Sequence, residues 1–145
     1  MTRQAIRVGI IGTGRISDLH AIEYIQNPFS QISALCDQDL DLATARAEKW
    51  GCPDAAVTNN YEDLLARDDV DLVELLLPHN MHLPIALKAI EAQKIISLQK
   101  PMCINLDEAD QLVAAAEASP QPFKVFENFI NSLVFPAIAD TTTII

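Results

Sequence analysis

Apolar residues fall along this chain in short blocks separated by amphipathic stretches, at intervals that suit strands alternating with helices. Ile6 to Ile11 is a nearly continuous apolar run that enters the glycine cluster Gly9, Gly12 and Gly14, the pattern of a buried parallel strand feeding a tight turn. Behind it, Ile16, Leu19, Ile22 and Ile25 recur at three-residue steps and predict a helix, stopped at Asn27-Pro28. Gln31 to Cys36 reads as a second strand closing at Asp37. Asp39 is the expected N-cap of a helix from Leu40 to Trp50, with Gly51 as its C-terminal stop.

The second half repeats the alternation. Ala56-Val57 predicts a short third strand, and Asn60 caps a brief helix carrying Tyr61, Leu64 and Leu65. Leu72 to Leu77 is the clearest buried strand, ended by Pro78, and Leu83 to Ala92 has helical periodicity through Ile85, Ala86, Ala89 and Ile90. Ile95 to Leu98 is the next strand. After Lys100-Pro101, Asn105 caps a helix to about Ala118 that carries Leu106, Ala109, Leu112, Val113 and Ala116, and Phe123 to Phe126 makes a last strand. This order predicts an α/β, three-layer, doubly wound parallel sheet of the Rossmann type, because right-handed crossovers lay each helix against the sheet. The dinucleotide-binding domain is expected over 1–130, with 131–145 as a C-terminal tail without an assigned role.

Composition narrows the function. The chain has 145 residues, 50% of them hydrophobic, enough to bury one core without disulfide or metal staples. Twenty Asp and Glu against ten Lys and Arg leave a formal charge of -10, which disfavours nucleic acid and anionic membrane surfaces as partners. Cys36, Cys52 and Cys103 are odd in number and form no C-x-x-C pair, so a reducing cytoplasm is the expected setting. No apolar run approaches the length of a signal or a membrane span. His79 and His82 have a spacing seen in metal sites, but no acidic or cysteine ligands cluster with them in sequence, so no metal is predicted.

Candidate chemistry concentrates in the first turn. Gly12, Thr13, Gly14, Arg15, Ile16 and Ser17 lie between a predicted strand and a predicted helix, the context that gives a glycine pattern meaning. Gly12 permits the turn, Gly14 lets the backbone approach a pyrophosphate, and the helix N-terminus offers N–H groups and a positive dipole end. Ser17 stands where a third glycine is usual, and its small side chain still allows close packing of helix on strand. Asp37 ends the second strand about 23 residues after Gly14, near the ~20 expected of a carboxylate that binds the ribose 2′-hydroxyl. A carboxylate there repels a 2′-phosphate, so NAD is favoured, with NADP as the alternative cofactor. The bland reading, a glycine-shaped turn with Asp37 as a solvated strand end, explains each feature singly but not their agreement.

A second cluster follows the later strands: Leu77-Pro78-His79-Asn80-Met81-His82 and Leu98-Gln99-Lys100-Pro101. Together with Gly9 to Ser17, His20, Asp71-Leu72-Val73, Ala89 to Ala92 and Lys100-Pro101-Met102, these resemble the N-terminal domain of the Gfo/Idh/MocA family, over about Ile6 to Asn128. The resemblance implies an NAD(P)-dependent oxidoreductase that moves hydride between nicotinamide and a sugar or polyol-like hydroxyl. It implies that Lys100 matches the lysine of the family's Glu-Lys-Pro motif, near nicotinamide and substrate, with Gln99 replacing the glutamate and so removing a negative charge beside it. Pro78 and Asn128 match positions near the cofactor. His82 is a candidate for proton transfer beside Lys100, with a helix-start role as its structural alternative. Family members continue into a second α/β domain that supplies the substrate pocket and an Asp/His pair, to which nothing in this sequence corresponds. A small-molecule substrate is therefore expected only with a second domain. A nucleotide-binding or regulatory domain without turnover, or a truncated remnant, is the alternative, and an apolar uncovered face would predict self-association into a homo-oligomer.

Overall fold

The computed structural model describes residues 5–126, and they fold around a single six-stranded sheet of order β3-β2-β1-β4-β5-β6. The strands are β1 (Ile6–Ile11), β2 (Ser30–Cys36), β3 (Ala56–Thr58), β4 (Leu72–Leu75), β5 (Ile95–Gln99) and β6 (Phe123–Phe126), and every pair is parallel. This is the doubly wound order in which the chain leaves the middle of the sheet in both directions, so β1 and β4 flank the switch point. The helices are α1 (Ser17–Gln26), α2 (Leu40–Lys49), α3 (Tyr61–Leu65), α4 (His82–Glu91) and α5 (Leu106–Ala118).

Two cores cover the two faces. Val8, Ile10, Leu35 and Leu76 pack with Ala21 of α1 and with Ala43 and Ala47 of α2. Val73, Leu75, Ile96 and Leu98 pack on the other face with Leu64 and Leu65 of α3, Ile85, Ala86 and Ala89 of α4, and Leu112 of α5. Alternate residues of each strand thus serve opposite layers, as the period of a strand requires.

Three caps read from the sequence are formed: Asp39 accepts from Leu42 N–H, Asn60 from Glu62 N–H and Asn105 from Glu108 N–H. Gly51 closes α2 at φ +72°, with Gly51 N–H bonded to Glu48 O and Cys52 N–H to Ala47 O. At the amino edge of the sheet, Asp71 accepts from the backbone N–H and guanidinium of Arg7, which joins the starts of β1 and β4.

Two expectations are corrected. The strand read as Leu72 to Leu77 ends at Leu75; Leu76 N–H still bonds Ile11 O, but the chain then turns over Gly12. More consequentially, the apolar series on α1 is not its buried face. Leu19 is 65% exposed, Ile22 46% and Ile25 48%, whereas Ser17, His20 and Ala21 are buried. Three-residue steps lag a 3.6-residue turn by about 60° each, so the four apolar residues wind half-way around the helix. Ser17, His20, Ala21 and Tyr24 hold the i, i+3, i+4, i+7 spacing of a single face.

Candidate dinucleotide site

The register aligns the strand ends: Ile11 pairs with both Cys36 and Leu75, and Leu75 with Leu98. The turn after β1, Asp37, the loop after β4 and Lys100 therefore emerge on one carboxyl edge, across the switch point where open α/β sheets bind ligands.

Gly12 has φ +97°, and a Cβ on it would overlap the Leu76 carbonyl, so no other residue fits. Gly14 is exposed, and a Cβ there would meet nothing within 4 Å. Open space therefore adjoins its backbone at the carboxyl edge. Ser17 is fully buried and its hydroxyl donates to Gly14 O at 2.6 Å, so the residue in the third glycine's place also braces the turn. Side-chain caps start α2, α3 and α5, whereas α1, behind Ile16, and α4, behind Met81, begin without one. Within the first turn of α1, Ser17 N–H bonds Gly14 O and Leu19 N–H bonds Ile16 O, so the turn satisfies part of its own N–H groups and leaves the rest to a ligand or to water.

Asp37 is fastened to this turn. Its Oδ2 accepts from Thr13 N–H at 2.7 Å and from the Thr13 hydroxyl at 2.9 Å, and its Oδ1 accepts from Asp39 N–H at 3.1 Å. Partial burial works to raise its pKa, but the hydrogen bonds from Thr13 and Asp39 outweigh it and hold the carboxyl below the usual range. Thr13 is itself fully buried. The fastening was missed in the sequence, where Thr13 and Asp37 stand 24 positions apart. Beside Asp37, Gln38, Asp39, Leu40 and Asp41 line an open depression. Two further carboxylates at that point make it hostile to a phosphate. Arg15 and Ile16 are exposed at the turn; Arg46 reaches the Thr13 carbonyl at 3.2 Å and Asp18 at 2.6 Å, tying α2 to α1.

Across the switch point, Pro78 and His79 are exposed at the end of β4 and Lys100 at the end of β5. The Lys100-Pro101 peptide is cis. His82 has no exposed surface; Nδ1 lies 2.9 Å from Pro101 O and Nε2 2.9 Å from Leu77 O. Both nitrogens face backbone carbonyls, so the ring fastens the β5 loop to the end of β4, and the proton-transfer expectation meets no free nitrogen. Asn128 lies outside the described residues. Among the described residues, no three His, Cys, Asp or Glu side chains gather as a metal site, and no helix is long and apolar enough to cross a membrane.

The profile of GFO_IDH_MocA, the oxidoreductase family's NAD-binding Rossmann fold, matches residues 6–127. A glycosyl hydrolase family 109 protein of Shewanella baltica is 33% identical over 130 residues, 85% of this chain and 28% of its own length. The 3-ketoreductase KijD10 of Actinomadura kijaniata, solved with NADP and TDP-benzene, superposes at a TM-score of 0.85 with 26% identity, covering 94% of this chain and 42% of its own. The WlbA dehydrogenase of Chromobacterium violaceum, solved with NADH and UDP-GlcNAcA, superposes at 0.80 with 26% identity over 90% of this chain and 37% of its own. The chain thus spans less than half the length of each.

Proposed function

Because the chain belongs to the GFO_IDH_MocA oxidoreductase family and forms its NAD-binding Rossmann domain, we propose that it binds NAD in preference to NADP and serves hydride transfer on a sugar-like substrate. The observation that carries this reading is the turn itself. Gly12 is sterically obligatory, the space above Gly14 is open, and the helix behind them is uncapped at the switch point of the sheet. Gly12 is also required by the close approach of the Leu76 carbonyl, but the open space at Gly14 and the uncapped helix start fit a pyrophosphate.

In this reading Gly14, Arg15 and Ile16 hold the pyrophosphate through backbone N–H groups and the positive end of α1. Asp37 receives ribose hydroxyls, and with Asp39 and Asp41 it repels a 2′-phosphate. Pro78 borders the cofactor, with Asn128 assigned there by resemblance alone. Lys100 orients the substrate oxygen, while His82 acts as a positioning residue that fixes the loop carrying it. Bound nicotinamide supplies the hydride chemistry. The sugar-like substrate is inferred from a relative named as a glycosyl hydrolase and from neighbours acting as a 3-ketoreductase and holding UDP-GlcNAcA. The family resemblance assigns the substrate pocket and an acid–base pair to a second domain.

Calorimetric titration with NAD and NADP tests the reading. Asp37→Ala would also release Thr13, so Asp37→Asn, which keeps an acceptor oxygen and removes the charge, is the cleaner variant. NAD should bind more tightly than NADP, and the preference should narrow about tenfold in Asp37→Asn, the loss of one charge-assisted contact. No binding of either nucleotide to the wild-type chain would sink the proposal.

A further inference from the structure

Beneath α1 lies a line of polar side chains that the dinucleotide site leaves unused. Glu74, 1% exposed, stands in the middle of β4 between the core residues Val73 and Leu75. A carboxylate buried so deeply needs partners. The Tyr24 hydroxyl donates to its Oε2, and His20 Nδ1 lies 2.9 Å from Oε1. That last approach is an ion-pair distance without hydrogen-bond alignment, so Oε1 has no hydrogen-bond partner among the described residues. On the far side of the imidazole, Nε2 is 2.9 Å from Nε2 of the Gln99 amide, and Gln99 Oε1 accepts the Lys100 backbone N–H at 2.8 Å. The Phe126 ring closes the flank of His20 at 4.9 Å.

The direction of each bond follows from one fixed donor. The Lys100 backbone N–H only donates, so it takes the oxygen of the Gln99 amide and turns the NH2 group toward His20. His20 must accept there, which leaves Nε2 bare and puts the ring proton on Nδ1, facing Glu74. A ring protonated on Nε2 would set N–H against N–H.

We propose that Glu74, His20 and Gln99 form a buried positioning line that holds the Lys100 backbone in register with α1, with His20 as the neutral Nδ1–H tautomer. The helix whose first turn faces the pyrophosphate thereby also sets the lysine, one turn further along, so cofactor helix and substrate lysine share a single reference. This deepens the proposed function and rests on its reading of Lys100.

Long-range proton–nitrogen spectra of the 15N-labelled full chain at pH 7 test it, and with three histidines in the sequence, a His20→Gln sample assigns the signals. Nδ1 of His20 should be pyrrole-like and Nε2 pyridine-like; the opposite tautomer or a doubly protonated ring overturns the proposal. Hydrogen exchange at the Lys100 amide provides the second readout. It should be about tenfold faster in Gln99→Met, which removes the acceptor, and restored in Gln99→Glu, which keeps an oxygen there. Equal exchange in Gln99→Met and wild type also overturns it. NAD titration of the same wild-type sample separates the two ideas: failure to bind NAD ends the functional reading and leaves the tautomer test standing.

Discussion

At the carboxyl edge of the sheet, the turn after β1 is held by backbone geometry, the short hydroxyls of Thr13 and Ser17 and one half-exposed carboxylate, whereas the loop after β5 is held by longer buried side chains. Gly12 fits because it has no Cβ, and Asp37 locks Thr13 from outside. Lys100 instead hangs between Gln99, which reaches back through His20 to Glu74, and His82, which grips Pro101. A cofactor turn must stay bare on its outer face to admit phosphate, so its fastening comes from the backbone and from short side chains beneath and beside it. A loop that only presents a lysine tolerates side-chain scaffolding beneath it.

The most severe test of the first fastening is Gly12→Ala. The added methyl meets the Leu76 carbonyl at a φ that L-residues rarely adopt, and the expected loss is about 3 kcal/mol or more of folding stability by urea denaturation, with NAD binding abolished. A loss below about 1 kcal/mol would mean that the turn can be remade without glycine. For the second fastening, His82→Phe keeps an aromatic ring and removes both ring nitrogens, leaving the Leu77 and Pro101 carbonyls without their ring partner. Roughly 1–3 kcal/mol should be lost, because stranded acceptors carry their desolvation cost. If His82→Phe is neutral in denaturation, the grip on the loop is not what holds it.

Asp37→Asn sharpens the comparison through acid titration. Because the folded carboxyl lies below its ordinary value, the charged form stabilises the fold above about pH 4, and that contribution fades as pH falls through the lowered folded value. The wild-type advantage over Asp37→Asn should therefore be flat at neutral pH and shrink below about pH 4. An advantage that instead grew on acidification would contradict the hydrogen bonds assigned to the carboxylate.

The two fastenings also differ in how far the sequence reveals them. Gly12, Gly14 and Asp37 announce themselves because strand, turn and helix impose residue types at fixed short spacing, and the caps Asp39, Asn60 and Asn105 are local for the same reason. The His20–Glu74–Gln99 line brings together positions 50 or more apart in the chain. Its single local signal is the charge of Glu74 inside an otherwise apolar strand. That signal says a partner must exist and does not say which. The same long-range pairing hides the buried face of α1: hydrophobicity draws attention to Leu19 and Ile22, while the sheet beneath presents a carboxylate that selects His20 and Tyr24.

Leu19→Gln probes that inversion with the smallest expected effect. In a helix whose apolar series faced the core, replacing a central leucine with a polar residue would cost several kcal/mol, since transfer, cavity and unpaired amide all count against it. Here Leu19 is 65% exposed, and glutamine has nearly the same helix propensity, so stability should change by no more than about 0.5 kcal/mol. Tyr24→Phe, on the polar face, deletes a single oxygen and should cost more, about 1 kcal/mol or above, because Glu74 Oε2 then loses its donor in the core. The ranking matters more than either value. If the leucine variant is the less stable of the two, Leu19 is covered in the folded protein, and the face of α1 that meets the sheet is the apolar one after all.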